Sequence, residues 1–447
     1  MSICAPAARA ALVLAFASST LACGAGDDPT GTIPGGSTGP TGTTTTPSGN
    51  PGGAGGSAGG GSGGAGGGAS TGGAGGAIAD SLDGILAELR ADLDGALVAH
   101  AAFTGWPVPV AGGRLFVSTD PAIAEVAGDH DGWAGTAMAA DQGFAWVVID
   151  VPPGDHYKLT DGATWAADPW ARSFTYDPNG EISLVDPTTA HLDRHLRVGD
   201  ARIEPRTVRV WVPASAATRV LYAHDGQNLF DPEAPWGGWR LQDAAPDGMI
   251  LVGIDNTPAR MDEYTHVTDD IDGSGQLVGG KADAYADFVQ HTVRPLVKKH
   301  YGEPGPVGVL GSSLGGLVSL AIADRYPNDY AFAASLSGTL GWGSIGANVH
   351  HETVLDRYQQ HGHGAAVIYV DSGGHGTSCA DADGDGVHDD DPDSADNYCE
   401  NQQFEGILGD LGYGAKDLTT YWDVDAPHNE AAWAARVFRP LGVFAGL

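Results

Sequence analysis

Six apolar runs in the second part of the chain are continuous rather than alternating: TVRVWVP (207–213), RVLYAHDG (219–226), MILVGID (249–255), PVGVLGSS (306–313), AFAASLSG (331–338) and AVIYVDSG (366–373). A strand that is apolar on both faces must be covered on both faces. Helical patterns lie between several of these runs, at Lys281–His300 and Gly315–Tyr326, and strands alternating with helices predict an α/β fold. Closer to the N-terminus the pattern changes. Ile78, Leu82, Ile85, Leu86, Leu89, Leu93 and Leu97 recur at helical spacing and predict one short amphipathic helix. After it come short β-type runs with turn signals between them, GGRLFV (112–117), FAWVVIDVPPGDHYKL (144–159) and GEISLV (180–185), which predict a small β-sandwich.

Ahead of both patterns, residues 24–77 collapse almost entirely to Gly, Thr, Ser, Ala and Pro. Such a segment has nothing to bury and reads as a flexible tether. Residues 1–23 hold one arginine, an apolar run from Ala10 to Ala17 and small residues before Cys23. That run is too short to span a bilayer and reads as an export signal. Thr20-Leu21-Ala22-Cys23 resembles the bacterial lipoprotein cleavage box, with Thr20 where leucine is usual, and the resemblance implies a mature chain that starts at a lipidated Cys23. Plain secretion is the alternative. The expected organisation is therefore a signal peptide (1–23), a linker (24–77), a helix with a β-sandwich (78–190) and an α/β-hydrolase domain (191–447).

Lys plus Arg number 22 against 56 for Asp plus Glu, a net charge of −34. A surface of that sign repels nucleic acid and anionic lipid, so contact with a membrane is expected only through the N-terminal anchor.

The chemistry points to Gly311-Ser312-Ser313-Leu314-Gly315, which ends a strand and opens a helix. That context is the one in which Gly-x-Ser-x-Gly forms a nucleophile elbow, with Ser313 at its centre; Ser312 lacks the frame. A serine hydroxyl needs a base to take its proton and a third group to orient that base, in the chain order Ser, acid, His. His428 combines a late position with a loop between a β-like run and a helix, whereas His224 lies too early. Asp371, ending a strand, and Asp396, just before NYCENQQFEGILGDLG, are both candidates for the acid. The N–H groups of Leu314 and of Gln227, in AHDGQN, are the candidate oxyanion donors.

AHDGQNLFD, WGGWRL (236–241), VGIDNTPARMDEY (252–264), GSSLGGLVSL and PHNEAAW together resemble the esterase D family of α/β hydrolases. That family includes enterochelin, feruloyl and acetyl-xylan esterases and mycolyltransferases. The resemblance runs from about His195 to the C-terminus and implies a serine esterase without a catalytic cofactor, with Ser313 as nucleophile, His428 as base and Gln227 and Leu314 as oxyanion donors. Its relatives carry the acid just ahead of the helix that follows, which favours Asp396 over Asp371. VAGDHDGW (126–133), PPGDHYKL and DGATWAADPWA (161–171) resemble early-set, immunoglobulin-like domains found with such enzymes. Trp133, Trp165 and Trp170 are expected to fill that sandwich; the alternative is that they stack on sugar rings.

The stretch Thr377–Asp396 departs from the family pattern. In it Asp381, Asp383, Asp385 and Asp389 are spaced, around Gly386, as the carboxylates of a Ca²⁺ loop are, although Pro392 stands where an EF-hand has its glutamate. The loop resembles the aspartate loops of thrombospondin type 3 repeats, which implies a structural Ca²⁺; an ion-free, solvated loop is the alternative. Cys379 and Cys399 bracket it, and export favours a disulfide between them. The substrate expected is a feruloyl or acetyl ester of a saccharide, because polysaccharide is met outside the cell. Siderophore hydrolysis, acyl transfer and a non-catalytic binding surface are the alternatives.

Overall fold

The computed structural model describes residues 78–346 and 350–447; the signal segment with Cys23 and the 24–77 linker lie outside them. Eight strands build the part that carries the elbow. They are β1 (His191–Val198), β2 (Arg206–Val212), β3 (Arg219–His224), β4 (Met249–Ile254), β5 (Val307–Ser312), β6 (Phe332–Leu336), β7 (Val367–Ser372) and β8 (Leu418–Trp422). Across the sheet they lie in the order β1-β2-β4-β3-β5-β6-β7-β8. The β1–β2 and β2–β4 pairings are antiparallel, and every pairing from β4–β3 to β7–β8 is parallel.

The continuous apolar runs have the expected cause. On β3, Val220 and Tyr222 enter one core while Leu221 and Ala223 enter another on the opposite face. The first core is closed by side chains such as Phe288, Leu317 and Phe404, the second by Trp433, Leu441 and Phe444. Strands covered on both sides leave no face for polar residues.

The N-terminal part differs from the single expected helix. Two helices form, α1 (Leu82–Ala91) and α2 (Leu93–Phe103). Asp92 separates them: its backbone is extended at φ −153°, its N–H bonds Glu88, and its carboxylate accepts the Gly95 amide at 3.1 Å. An aspartate that offers the next turn a cap favours a break over continuation. Ile85, Leu86, Leu89 and Leu97 then pack on Trp106, Leu115, Val117 and Phe144.

Strands 108–110, 113–118, 145–149 and 139–140 form a four-stranded sheet. The remaining N-terminal strands join the large sheet, because the strand Ser173–Asp177 pairs with β1 through Leu192↔Phe174 and Asp193↔Ser173. Fourteen strands thus make one sheet that crosses residue 191 without interruption. Phe116 and Ala145 of the small sheet share a core with Val126, Tyr157 and Leu159 of the large one.

The tryptophan expectation needs correcting in one case. Trp165 is 44% exposed. Its two-residue strand, Trp165–Ala166, pairs among the described residues only with the strand His156–Thr160. Trp133, half-buried, lies 6.0 Å from it between ring centroids, and Trp170 packs against the core under α1 and α2. No helix among the described residues is long and apolar enough to cross a membrane.

Candidate active site

Ser313 stands between β5 and helix α3 (Leu314–Arg325) with φ 57° and ψ −127°, a backbone region that L-residues rarely adopt. Holding a non-glycine residue there costs roughly 1–3 kcal/mol and needs fixed surroundings. These are present: the Ser313 N–H donates to the Leu336 carbonyl at 2.9 Å, and its own carbonyl accepts from Gly316 and Leu317 at 3.0 and 3.1 Å. Two nearby glycines are steric requirements, Gly311 and Gly316, whereas a Cβ at Gly315 would meet nothing nearer than 3.4 Å. A Cβ at Gly311 would lie 2.5 Å from the Gly315 backbone, and one at Gly316 would lie 2.5 Å from the Ser335 hydroxyl. Ser312, by contrast, is the last residue of β5 and pairs with Leu336.

His428 follows β8 in a loop whose backbone is tied to the Asp396 segment, its N–H donating to the Ala395 carbonyl at 2.9 Å. Its Nδ1 lies 2.5 Å from Asp396 Oδ1, and the Trp433 ring meets the imidazole edge-on at 4.9 Å. Both members of the pair are buried. Asp396 also accepts the Gly373 amide (2.7 Å), the Asn397 amide (2.8 Å) and the Ser337 hydroxyl. Burial pushes this carboxyl up, but the His428 ring, Ser337 and the Asn397 N–H outweigh it and hold it below the usual carboxylate range.

Asp371, the other candidate acid, is equally buried but engaged elsewhere. Arg436 Nε donates to it at 3.0 Å and the Tyr369 hydroxyl at 3.0 Å, while burial raises its carboxyl to about 6. His224 is also buried, 3.0 Å from the Tyr285 hydroxyl and beside the paired Tyr264 and Tyr285 rings. Burial lowers it to about 3, so it stays neutral.

Gln227 lies in a single 3₁₀ turn, Gly226–Asn228, at the carboxyl end of β3, the parallel neighbour of β5. Asp225 starts that turn at φ 62° and is held by Arg260 in two bonds of 2.7 and 2.8 Å. The Gln227 side chain accepts the Asn256 amide at 3.1 Å, and a Cβ at Gly226 would meet the Gly253 backbone at 2.6 Å. Leu314 opens α3 directly after Ser313. The Gln227 and Leu314 backbones therefore leave adjacent strands at the same end of the sheet.

Asp381, Asp383 and Asp385 each offer a carboxylate oxygen, all within 4.8 Å of one another, and Asp389 accepts the Ala382 amide at 2.9 Å. Asp381 accepts the amides of Gly384, Asp385 and Gly386. Cys379 and Cys399 form a disulfide, with Cα atoms 5.0 Å apart. Cys399 lies in the first turn of helix α4 (Tyr398–Asp410), three residues after Asp396. Sequence reasoning did not reach Ser337, a turn residue without a motif, nor the part of Arg436 that faces Asp371.

A family model described as "Putative esterase" matches residues 203–442, more than half of the chain. The chain belongs to this esterase family. The esterase is 25% identical over an aligned length of 154 to the uncharacterized protein YbbA of Bacillus subtilis (strain 168); the match covers 32% of this chain and spans 61% of the length of that curated relative. Among solved structures, the esterase is similar to the enterochelin esterase of Shigella flexneri at 14% identity and TM-score 0.40, over 74% of this chain and 92% of that one. It is also similar to the siderophore hydrolase EstB of Aspergillus nidulans, at 18% identity and TM-score 0.40 over 57% and 94% of the two chains.

Proposed function

We propose that this esterase is an exported serine carboxylester hydrolase with Ser313 as nucleophile, His428 as base and Asp396 as the acid that orients it. The observation that carries the reading is the pairing of a left-handed elbow at Ser313 with a buried His428–Asp396 dyad whose loops leave β7 and β8 at the same sheet end as the elbow. In this mechanism Ser313 Oγ attacks the ester carbonyl carbon while His428 Nε2 takes its proton. Asp396 holds the Nδ1–H and stabilises the imidazolium that forms. The Leu314 and Gln227 N–H groups receive the oxyanion. His428 then gives its proton to the departing alkoxide, and a water activated by the same imidazole releases the acid.

For the substrate, the proposal is a feruloyl or acetyl ester of a saccharide. Exposed Trp165 beside Trp133 supports it, since a sugar ring stacks on such a surface. The N-terminal strands are read as an early-set, immunoglobulin-like domain of the esterase D type, and Cys23 as a lipid anchor. Asp381, Asp383, Asp385 and Asp389 are proposed to hold Ca²⁺, a reading supported by hard oxygen donors converging beside a disulfide.

The test compares kcat/KM on feruloylated and acetylated xylo-oligosaccharides with that on enterobactin, with and without an acceptor alcohol. Faster saccharide turnover is expected, together with loss of fluorophosphonate labelling in Ser313→Ala and not in Ser312→Ala. Labelling that persists in Ser313→Ala sinks the nucleophile assignment; preference for enterobactin or for transfer overturns the substrate alone.

A further inference from the structure

The turn after β6 carries Ser337 in a left-handed conformation, φ 48°, with the residue wholly buried. Its hydroxyl has one proton to give and two lone pairs with which to accept. Trp433 Nε1–H reaches its oxygen at 3.0 Å and Arg436 Nη2–H at 2.6 Å. Neither group can accept a proton in return, so both lone pairs are filled and the hydroxyl proton has one remaining acceptor, Asp396 Oδ2. A guanidinium and an indole offer only N–H donors, so this direction is fixed.

Trp433 and Arg436 both belong to helix α5 (Glu430–Arg436), which begins two residues after His428. The helix thus returns one side chain to the edge of the His428 imidazole and two donors to Ser337. Arg436 Nη2 lies 3.8 Å from Asp396 Oδ2, but its Nε bond goes to Asp371 at 3.0 Å. Asp371 therefore takes the direct charge pairing of Arg436 and leaves the Asp396 charge to His428. From the other side α4 and its cap residue Asn397 grip the turn: Asn397 Nδ2 donates to the Ser337 carbonyl at 3.2 Å, Asn401 Nδ2 to the Gly338 carbonyl at 2.8 Å, and Glu400 accepts the Leu340 and Gly341 amides at 2.9 and 3.0 Å.

We propose that Ser337, oriented by Arg436 and Trp433, is a positioning residue that fixes the rotation of the Asp396 carboxylate, so that Oδ1 faces His428 Nδ1. With Ser337 and the Gly373 amide on one oxygen, and His428 and the Asn397 amide on the other, any rotation of the carboxylate short of the half-turn that merely exchanges its equivalent oxygens breaks some of the four bonds. The inference rests on the reading of Asp396 and His428 as the catalytic dyad, and it deepens that reading. A misplaced orienting group costs up to about 100-fold in rate.

Ser337→Ala removes only the hydroxyl. On the full chain, with p-nitrophenyl acetate and below the melting temperature of each variant, kcat is expected to fall about 10- to 100-fold with KM within roughly twofold. The downfield proton resonance of His428 Nδ1–H should move or broaden. A folded Ser337→Ala protein with unchanged kcat and an unchanged downfield proton overturns the proposal, as does a variant that loses only melting temperature. Should Ser337→Ala not fold, Arg436→Lys keeps the charge but cannot reach Ser337 and Asp371 together, and it carries the same expectation and the same refutation. Asp396→Asn is run alongside. If that variant stays active, the dyad reading fails; if it is inactive while Ser337→Ala is not, only the positioning role fails.

Discussion

On β4, β5 and β6 every residue is buried, and β3 and β7 are buried from their second residue onward. The strands 145–149 and 173–177, in the N-terminal part, keep three or more of their five residues only partly covered. The two parts nevertheless share one sheet. The difference lies in direction as much as in burial. Parallel strands put all their carboxyl ends on one edge, so the segments carrying Gln227, Ser313, Ser337, Asp396 and His428 emerge together. Antiparallel strands send successive loops to opposite edges. The N-terminal part therefore offers a surface, with Trp165 and Trp133 on it, rather than a convergent set of reactive groups.

That contrast is testable first where it is sharpest, between two buried aspartates, Asp371 at the end of β7 and Asp396 in the loop that follows it. Asp396→Asn is expected to lower kcat by about 10⁴-fold, because an amide opposite Nδ1 selects the wrong imidazole tautomer. Asp371→Asn should instead leave Arg436 without its carboxylate and cost about 3–5 kcal/mol of stability, with kcat reduced less than about tenfold. Steady-state kinetics with urea melts separates the two; the opposite ranking would make Asp371 the orienting acid.

Next in size is the disulfide. Reducing Cys379–Cys399 opens a loop of 20 residues' separation and should cost on the order of 3 kcal/mol. Calorimetry with and without reductant measures the loss, and Ca²⁺ should raise the melting temperature of a chelated, oxidised sample if the aspartate loop binds it.

Two buried histidines add to the response to acid. Burial holds His195 at about 2 and His224 at about 3, below the roughly 6.5 of an exposed ring. The unfolded chain then takes up their protons first, so their contribution is complete above about pH 6.5 and declines as the pH falls toward the folded values. Each should cost about 2 kcal/mol between pH 6.5 and 5, and His224→Gln should flatten its share of that slope in thermal melts. An unchanged slope would mean that His224 is accessible to protons in the folded state.

The smallest effect belongs to the N-terminal surface. Trp165→Ala should leave kcat on p-nitrophenyl acetate unchanged and raise KM a few-fold on a feruloylated polymer. Equal kinetics on both substrates would reduce Trp165 to an incidental exposed ring.

Much of the parallel part was legible because burial on both faces writes itself as unbroken apolar runs. The elbow was legible because Gly311 and Gly316 answer steric demands within a few residues of Ser313. Asp371 and Asp396 were not separable in the same way. What distinguishes their surroundings is the reach of Arg436 and His428 from a segment at least 32 residues further on, which no local pattern encodes. Ser337 has no signature beyond a Ser-Gly turn, since its partners come from the distant helix α5. The break at Asp92 was masked by leucines that keep helical spacing across it, and the pairing of Ser173 with Asp193 is a matter of register, which composition does not record.

The joining of the two parts through Phe174 and Leu192 also bears on how the molecule can be cut. A protein trimmed at residue 191 would lose the strand that completes β1. It would also uncover Leu192 and His195, both now buried, along a row of unpaired backbone groups. Such an edge invites pairing with another copy. The catalytic part on its own is therefore expected to associate or precipitate, and the N-terminal strands act in effect as its built-in chaperone.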